Sequence, residues 1–351
     1  MLQEQVFKNG SGKVERPLQS YCNLSQRGYS FKLQRMITHA GANESFDQAI
    51  IDLAELSDIE LSKTEIRRIT LAHGQTATTF HHHVDLDIHA TPDKIRSEVD
   101  GSMLPLLERP DNLPEGTDKR KHKKRIYKEI RLCYAQNIDQ DKDFYHADFV
   151  YQDDIKPFIQ FTLDKVGYKH GTSQVYAIGD GANWIYNTYK SIDPNSHYTV
   201  DYYHLSEYLI PFAPEFIAKY HDIAPSKIND KYINAWMSLT CERLKQNEIG
   251  YLYEESKLIK DTKQASEQFR QYVANRWDRF DYQTLVKQDL PIGSGLIEGA
   301  HKSILQKRLK KSGVGWEINN IKSMIHLRLL AANELWDHYW DCQWILHKAA
   351  A

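Results

Sequence analysis

Apolar residues recur at helical spacing through residues 29–73, and this pattern predicts an N-terminal group of short helices. Ser45 is predicted to cap a helix over 46–56, because a serine oxygen accepts hydrogen bonds from the free N–H groups of a first helical turn. Ser62 followed by Glu65 forms a capping-box pattern that predicts the start of a further helix. Three short helices with tight connections resemble a helix-turn-helix unit, and the alternative is an ordinary helical bundle that packs on the next domain.

The pattern changes after residue 94, where short apolar runs bounded by turn residues are typical of strands. Strands and helices are predicted there, in chain order, at 95–99, 127–134, 153–166, 175–178, 182–189 and 198–200. Taken together, residues 95–204 are predicted to follow the order β-β-β-α-β-α-β, which indicates an open mixed sheet flanked by helices. Helical spacing then continues through 205–289, and one or two long helices are predicted over 296–338.

These patterns divide the chain into four predicted regions. Residues 1–18 are polar and are predicted to be flexible, and residues 19–93 form the helical, possibly helix-turn-helix, domain. Residues 94–204 and 290–340 together form the α/β domain. Residues 205–289 are predicted to be an all-helical insertion into that domain.

Composition narrows the class of protein without identifying it. A hydrophobic fraction of 41% and a charged fraction of 26% are ordinary for a globular protein, and 351 residues suffice for two or three domains. No run of 18 apolar residues and no basic-then-apolar leader occurs, so we expect a cytoplasmic protein with no membrane span. The four cysteines lie far apart without a Cys-x-x-Cys pair, which argues against a zinc knuckle or a disulfide framework.

Positive charge is concentrated in two segments although the net charge is −2. Residues 119–131 contain eight Lys or Arg and one acid, and residues 301–328 contain seven Lys or Arg and one acid. Clustered cations of this kind are the electrostatic signature of nucleic-acid binding, while solvated helix faces are the plainer interpretation.

Three carboxylates occur where an open sheet would bring ligands together. Asp100 follows an apolar strand, Asp180 lies between two glycines at the end of another strand, and Glu298 follows a Gly-Ser-Gly turn at a predicted helix start. Ligands of open α/β sheets bind in the crevice beyond the strand ends. Each residue also has an ordinary interpretation, since Asp-Gly is a common turn, Asp180 suits an N-cap, and an acid stabilises a helix N-terminus.

Converging carboxylates require a cation, because like charges at close range repel or raise each other's pKa. Two Mg²⁺ ions, or Mn²⁺, meet that need and can bridge to phosphate oxygens. Such a pair activates an attacking oxygen and stabilises the leaving one in a phosphoryl transfer. The sequence therefore predicts a divalent-metal phosphoryl-transfer enzyme that acts on nucleic acid.

Three segments together resemble a known family: Tyr176-Ala-Ile-Gly-Asp-Gly-Ala-Asn-Trp-Ile185, Val200-Asp-Tyr-Tyr-His204 and Pro291-Ile-Gly-Ser-Gly-Leu-Ile-Glu298. They are similar to the ISKra-type insertion-sequence transposases, relatives of the Mutator-like group. The resemblance covers about 20–335 and implies a ribonuclease-H-like catalytic domain with an Asp-Asp-Glu triad. By position it makes Asp100, Asp180 and Glu298 the catalytic and metal-binding acids, with Asp85 and Asp87 as weaker candidates for the first. Asp201 and His204 fit the family's supporting motif.

The resemblance implies a DNA transposase that cleaves strands at the element's ends and transfers the freed 3′-hydroxyl to target DNA. Its implied partner is double-stranded DNA, end recognition falls to the helices of 29–73, and joining two ends calls for a dimer or larger assembly. Residues predicted to contact phosphates are Lys119, Arg120, Lys121, Lys123, Lys124, Arg125, Lys302, Lys307, Arg308, Lys310 and Lys311. The rival hypotheses are a metal-dependent nuclease without strand transfer and a catalytically inactive or domesticated DNA-binding protein.

Overall fold

The computed structural model describes residues 7–8, 10, 14–15, 29–108, 110, 118, 122–151, 154–221, 223–311 and 314–350. Most of the predicted flexible region 1–18 lies outside the described residues, as do the predicted phosphate contacts Lys119, Arg120 and Lys121. In the first 28 residues a short antiparallel ladder pairs Phe7–Lys8 with Val14–Glu15.

Three N-terminal helices follow, each opened by a serine cap: α1 (Phe31–Asn43), α2 (Phe46–Ser57) and α3 (Lys63–His83). The Oγ atoms of Ser30, Ser45 and Ser62 accept hydrogen bonds from backbone N–H groups three residues on, which confirms the last two as predicted caps. Helix α3 continues ten residues beyond its predicted end at His73, although Gly74 follows there as a common helix stop signal.

The three helices pack together and against the C-terminal part of the chain. A small apolar core joins them, formed by Ile37, Ala49, Leu53, Ile66 and Ile69. Helix α3 also crosses a later helix so closely that a Cβ on Gly74 would lie 2.6 Å from the Ser323 side chain. The packing alternative to a DNA-binding helix-turn-helix therefore has direct structural support, while the DNA-binding role of these helices stays a prediction.

A five-stranded mixed sheet forms the centre of the α/β part. Its strands are β1 (Lys94–Glu108), β2 (Lys124–Asn137), β3 (Lys142–Asp148), β4 (Gln174–Gly179) and β5 (His197–Val200), in the spatial order β3-β2-β1-β4-β5. The β1–β2 and β2–β3 pairs are antiparallel, whereas β4 and β5 run parallel to β1. With α4 (Ile155–Lys165) and α5 (Asn183–Ile192), the predicted order β-β-β-α-β-α-β is confirmed.

The Asp100-Gly101 pair is not a turn. Strand β1 continues through it to Glu108, paired in register with β2, so that Asp100 lies opposite Leu132. Strand β1 is thus fifteen residues long, and the predicted end of this strand at residue 99 was wrong. Cross-strand pairing with β2 outweighs the local preference of Asp-Gly for a turn.

Residues 202–287 form helices: α6 (Tyr202–Leu209), α7 (Ala213–His221), α8 (Asp230–Leu244), α9 (Ile249–Ser256), α10 (Lys263–Ala274) and α11 (Tyr282–Lys287). Their apolar faces share one continuous core with the sheet, in which Leu205, Phe212 and Phe269 are fully buried. This part of the chain therefore packs on the sheet instead of standing apart from it.

The chain closes with α12 (Gly295–Ala300), a π-helical stretch His301–Gln306, α13 (Lys307–Leu309), α14 (Ile318–Ala332) and α15 (Trp336–Ala350). The prediction of one or two long helices over 296–338 was therefore too simple. The segment between α13 and α14 adds a short parallel bridge to β1, between Trp316 and Leu106. Within the described residues, no helix is both long and apolar enough to cross a bilayer.

Candidate active site

Two aspartates leave neighbouring parallel strands at one edge of the sheet. Gly179 of β4 and Val200 of β5 are register partners, and Asp180 and Asp201 are the next residue on each strand. The Asp201 N–H donates to the Gly179 carbonyl at 2.7 Å, which fixes the two chain segments side by side. The edge predicted from sequence therefore exists for these two strands.

Strand β1 brings two further acids to the same region. Glu98 is the register partner of Ile178 on β4, and Asp100 follows two residues later. Because side chains alternate along a strand, Glu98 and Asp100 project from the same face of the sheet. Glu98 is fully buried, whereas the side chain of Asp100 is 42% exposed.

Helix α12 lies across this face and is held by contacts to the acids. The Ser294 hydroxyl donates to Asp201 Oδ2 at 2.6 Å, and the Ile297 N–H donates to Glu98 Oε2 at 3.1 Å. Because the first N–H groups of a helix lack partners within the helix, Glu98 serves as an acceptor for one of them. At the other end of α12, His301 Nε2 lies 3.6 Å from Asp100 Oδ2.

These contacts bring Glu298 to the strand ends. One ligand atom each from Asp201, His204 and Glu298 lies within 4.8 Å of the others, and this is the one such group of three or more among the described residues. His204 reaches the group because Asp201 caps α6 through its contact with the Tyr203 N–H at 2.9 Å, so that His204 lies one turn along that helix. Two carboxylates and an imidazole at this spacing can hold one divalent cation.

The grouping differs from the one that the sequence predicted. Glu298 is joined by the two predicted supporting residues, while Asp100 and Asp180 lie outside the 4.8 Å group. Asp100 instead faces His301, and the Asp180 carboxylate accepts a hydrogen bond from the Ala182 N–H at 2.7 Å. The catalytic roles of Asp100, Asp180 and Glu298 stay a prediction. The weaker candidates Asp85 and Asp87 are exposed residues that precede β1.

The Asp180 loop is held by the helical segment. The Tyr272 hydroxyl donates to the Asp180 carbonyl at 2.9 Å, and Arg276 Nε donates to the Gly181 carbonyl at 2.7 Å. Gly181 has a φ of +85°, a backbone conformation that favours glycine, and its N–H donates to the Tyr198 hydroxyl at 3.1 Å. The residues of 205–289 therefore fix the position of a predicted catalytic aspartate.

The buried carboxylate of Glu98 has an unusual electrostatic environment. Burial raises the pKa of Glu98, the guanidinium of Arg96 lowers it, and the charge of Asp201 raises it further. Arg96 Nε donates to Glu98 Oε1 at 2.8 Å, so the two form a buried ion pair. Burial lowers the pKa of His301, because it disfavours the charged imidazolium, and the nearby Asp100 carboxylate partly offsets this by raising the pKa. Accumulated negative charge at this edge favours cation binding.

The eight predicted phosphate-contacting residues that the structure describes divide into three groups. Lys124, Arg125, Lys302, Lys307 and Lys310 are exposed. Lys123 and Lys311 are half-buried and lie 3.5 Å from Glu317 and 3.6 Å from Glu44, respectively. Arg308 is 2% exposed and its Nε donates to the Gly41 carbonyl at 3.1 Å, so it lies beneath the surface, and its contact with DNA stays a prediction.

Sequence reasoning missed several residues that build this site: Arg96, Glu98, Ser294, Tyr272, Arg276 and His301. For Arg96 and Glu98, the available signal was an opposite-charge pair at positions i and i+2, between Ile95 and Val99 at the start of β1. For Ser294, the signal was its position in the Gly-Ser-Gly turn before Glu298. No local pattern marks Tyr272 or Arg276, since their role arises from contacts between distant segments.

Comparison with known proteins places these elements in a family. Residues 136–338 match the family described as "Uncharacterised protein family (UPF0236)". The matched residues include Asp180, Asp201, His204 and Glu298. Asp100 lies outside the matched residues.

Curated relatives carry the same family name. One UPF0236 protein of Caldanaerobacter subterraneus subsp. tengcongensis is 28% identical over 164 residues, which is 46% of this chain and 31% of the relative. A second protein of the same organism, whose name joins eleven locus designations, is 26% identical over 160 residues, which is 46% of this chain and 31% of the relative. The match thus spans about a third of the length of these relatives.

Among solved structures, the "Drosophila P element transposase strand transfer complex" matches with a TM-score of 0.31 at 10% identity. The match covers 86% of this chain and 79% of that chain. A likeness at this level is too slight to support a conclusion about fold or activity.

Proposed function

The chain belongs to the family UPF0236, and we propose that it is a DNA transposase that cleaves strands at the ends of a mobile element and joins the freed 3′-hydroxyl to target DNA. The observation that carries this proposal is the meeting of Asp201, His204 and Glu298 within 4.8 Å beside the ends of β4 and β5. The mixed sheet with its flanking helices is compatible with the ribonuclease-H-like catalytic domain that the sequence resemblance implies.

The donor atoms at this edge fit a divalent cation. Asp201 and Glu298 supply carboxylate oxygens, and His204 supplies an imidazole nitrogen. Mn²⁺ binds both kinds of donor, whereas Mg²⁺ would be bound mainly by the two carboxylates. Asp100 and Asp180 supply further oxygens on the neighbouring strands for a second ion. A pair of such ions would activate the attacking hydroxyl and stabilise the leaving oxygen of an in-line phosphoryl transfer.

The chain's own side chains position these donors. Ser294 and the Tyr203 N–H both hydrogen-bond to Asp201, so this buried carboxylate keeps one orientation. Glu98 accepts a hydrogen bond from the Ile297 N–H in the first turn of α12. Because Glu298 is the residue after Ile297, this contact also sets the position of Glu298. Loss of a hydrogen bond that orients a metal ligand typically lowers metal affinity about 10- to 100-fold.

Exposed cations lie close in sequence to Glu298 and support a polyanionic substrate. Lys302, Lys307 and Lys310 follow it on the π-helical stretch, α13 and the residue after α13. In this proposal they contact the DNA backbone, which positions DNA without reading its sequence. Affinity that depends on such contacts falls with added salt.

The repetition of relatives within one genome agrees with a mobile element. A curated relative has a name that joins eleven locus designations of one bacterium. A sequence that inserts new copies of itself would produce such repetition, whereas a housekeeping nuclease would not.

A strand-transfer assay tests the proposal. The full chain is incubated with Mg²⁺ or Mn²⁺ and a DNA fragment that carries the sequences flanking its own reading frame, and a pre-nicked version of the same fragment is tested with target plasmid. We expect cleavage at the element boundary and covalent joining of the 3′-end to the plasmid, both abolished by Glu298→Gln and by EDTA. Glu254→Gln, at an exposed acid on α9, is the matched control.

The same assay separates the rival functions. Cleavage without joining of the pre-nicked ends would favour a nuclease, and binding without either reaction would favour an inactive DNA-binding protein. Cleavage by Glu298→Gln at the rate of the unmodified protein would remove Glu298 from the site.

A further inference from the structure

A basic cavity of about 500 Å³ lies between the N-terminal helices, the start of β2 and the segment before α14. Its walls include the aromatic rings of Phe46 and Trp316 and the side chain of Leu107. Five cations line it: Lys63, Arg67, Lys123, Arg125 and Arg308. We call it the basic cavity.

The positive charge of the basic cavity exceeds the negative charge. Its two acids, Asp47 and Glu317, form ion pairs with Lys63 at 2.7 Å and with Lys123 at 3.5 Å. Neither Arg67 nor Arg125 has an ion-pair partner among the described residues, and both are exposed. Five cations against two acids leave an excess of three positive charges for a ligand to neutralise.

The guanidinium of Arg308 is a second, independent observation that points to an anionic ligand. Arg308 is 2% exposed, and its guanidinium packs against the rings of Phe46 and Trp316, at 4.9 and 5.0 Å from their centroids. Nε donates to the Gly41 carbonyl, but Nη2 has no hydrogen-bond partner in the described part of the chain. No ion pair to a carboxylate is formed by Arg308 among these residues. A buried donor on a cation is costly unless an acceptor, such as a bound anion, satisfies it.

The basic cavity lies along β1 from the candidate active site. Leu107, in its wall, is seven residues beyond Asp100, which corresponds to roughly 23 Å of extended strand. Arg125 is the register neighbour of Leu107 on β2, so the sheet itself fixes this cation relative to Asp100. Along a DNA strand, the same distance corresponds to about seven nucleotides at roughly 3.4 Å each.

We propose that the basic cavity binds one backbone phosphate of duplex DNA, about seven base pairs from the phosphate that lies beside Asp100 at the candidate active site. This proposal rests on the proposed function, since it takes its ligand from there. Arg67 and Arg125 contact the phosphate at the mouth of the cavity, and Arg308 supplies positive charge at its floor. Guanidinium groups suit this role, because their planar donors match two phosphate oxygens at once.

Fluorescence anisotropy with the full chain and labelled duplexes tests the proposal. The variant carries Arg67→Gln with Arg125→Gln, both at exposed positions, and the control carries Lys227→Gln with Lys231→Gln, exposed cations of the helical segment. Loss of one phosphate contact lowers the slope of log affinity against log salt by about 0.9. Between 50 and 200 mM salt, the variant should therefore lose roughly 3.5-fold less affinity than the unmodified protein. The control should lose as much as the unmodified protein.

Two further experiments test where the contacted phosphate lies on the duplex and whether the cavity binds free phosphate instead of DNA. Duplexes that extend about four or about twelve base pairs from the nick should differ in affinity for the unmodified protein and bind the Arg67/Arg125 variant equally. In a second arm, inorganic phosphate is titrated at constant ionic strength while the melting temperature is followed. Stabilisation by phosphate with an unchanged salt slope for DNA would identify a free-anion site and overturn the proposal, as would equal slopes for variant and control.

The outcome is separable from that of the proposed function. If Glu298→Gln leaves cleavage intact while the Arg67/Arg125 variant shows the smaller slope, the DNA-binding cavity stands and the catalytic proposal fails. If Glu298→Gln abolishes cleavage and the slope is unchanged, the cavity proposal alone is wrong.

Discussion

The Ser294 hydroxyl donates a hydrogen bond to Asp201 Oδ2 at 2.6 Å, and this contact joins the start of α12 to the end of β5. The two residues are 93 positions apart in the chain, with all the helices α6–α11 between them. Glu298 lies four residues after Ser294, so the same contact that orients the Asp201 carboxylate also sets the position of Glu298.

Replacement of Ser294 by alanine should weaken metal binding. The buried Asp201 carboxylate would lose one of its two hydrogen-bond donors, and loss of such a partner typically lowers metal affinity about 10- to 100-fold. The free energy of unfolding should fall by about 1–3 kcal/mol, because a buried acceptor is left unsatisfied. Calorimetric titration with Mn²⁺ and urea unfolding measure the two effects.

Ser238→Ala is the matched control, since Ser238 is exposed and its hydroxyl donates only to the Asn234 carbonyl of its own helix. It should leave Mn²⁺ affinity unchanged. Equal Mn²⁺ affinity in Ser294→Ala and the unmodified protein would show that the Ser294 contact does not orient a metal ligand.

Gly181→Ala should destabilise the loop that follows β4. A side chain at φ +85° costs about 1–3 kcal/mol, and the new Cβ would lie 2.7 Å from the Tyr272 hydroxyl. Gly299→Ala is the control, since nothing lies within 4 Å of its Cβ position and alanine in a helix stabilises by up to about 1 kcal/mol. Urea unfolding compares the two. Equal stability of the two variants would mean that the Asp180 loop is not held as described.

The stability difference between the unmodified protein and Glu98→Gln should depend on pH. Burial raises the pKa of Glu98 above its ordinary value near 4.5, so the folded state binds this proton more tightly than the unfolded state. The contribution is complete below pH 4.5 and is lost as pH rises through the raised pKa. The unmodified protein should therefore lose stability relative to Glu98→Gln over that interval, as followed by urea unfolding. A relative gain would show that Arg96 depresses the pKa.

Acid should destabilise the protein through a buried histidine cluster on α3, β3 and α14. His326 lies 5.3 Å from His81 between ring centroids, and burial lowers the pKa of His326 from 6.5 to about 4. The folded state therefore binds this proton less tightly, so its contribution is complete above pH 6.5 and is lost as pH falls toward 4. The loss is roughly 3 kcal/mol at full protonation.

Urea unfolding of His326→Gln over the same pH range checks this expectation, with the exposed His338→Gln as control. The His326 variant should lose less stability on acidification than the control. The same loss in both variants would exclude His326 as a source of acid sensitivity.

Local patterns predicted the elements around the site well. Serine caps marked α2 and α3, and period-two and period-3.6 spacing gave the order β-β-β-α-β-α-β. These features depend on residues near each other in the chain, which is why they can be found without coordinates. The strand-end positions of Asp180 and Asp201 followed from the same patterns.

Features that depend on long-range contacts were not predictable. Asp100-Gly101 has the local preference of a turn, yet pairing with β2 keeps it extended. Arg308 lies in a run of surface-like lysines, yet the packing of Phe46 and Trp316 buries it. The group of Asp201, His204 and Glu298 depends on the path of α12 across the sheet, which is fixed by Glu98 and Ser294.

Anomalous diffraction from crystals grown with MnCl₂ and a short duplex tests the central claim, that the edge formed by Asp201 and Glu298 holds the catalytic cation, most directly. We expect a manganese peak within about 2.5 Å of a carboxylate oxygen of each residue. Its neighbours would also show whether Asp100 or Asp180 completes the site. A well-occupied manganese peak elsewhere, with Asp201 and Glu298 bound only by protein groups, would contradict the account.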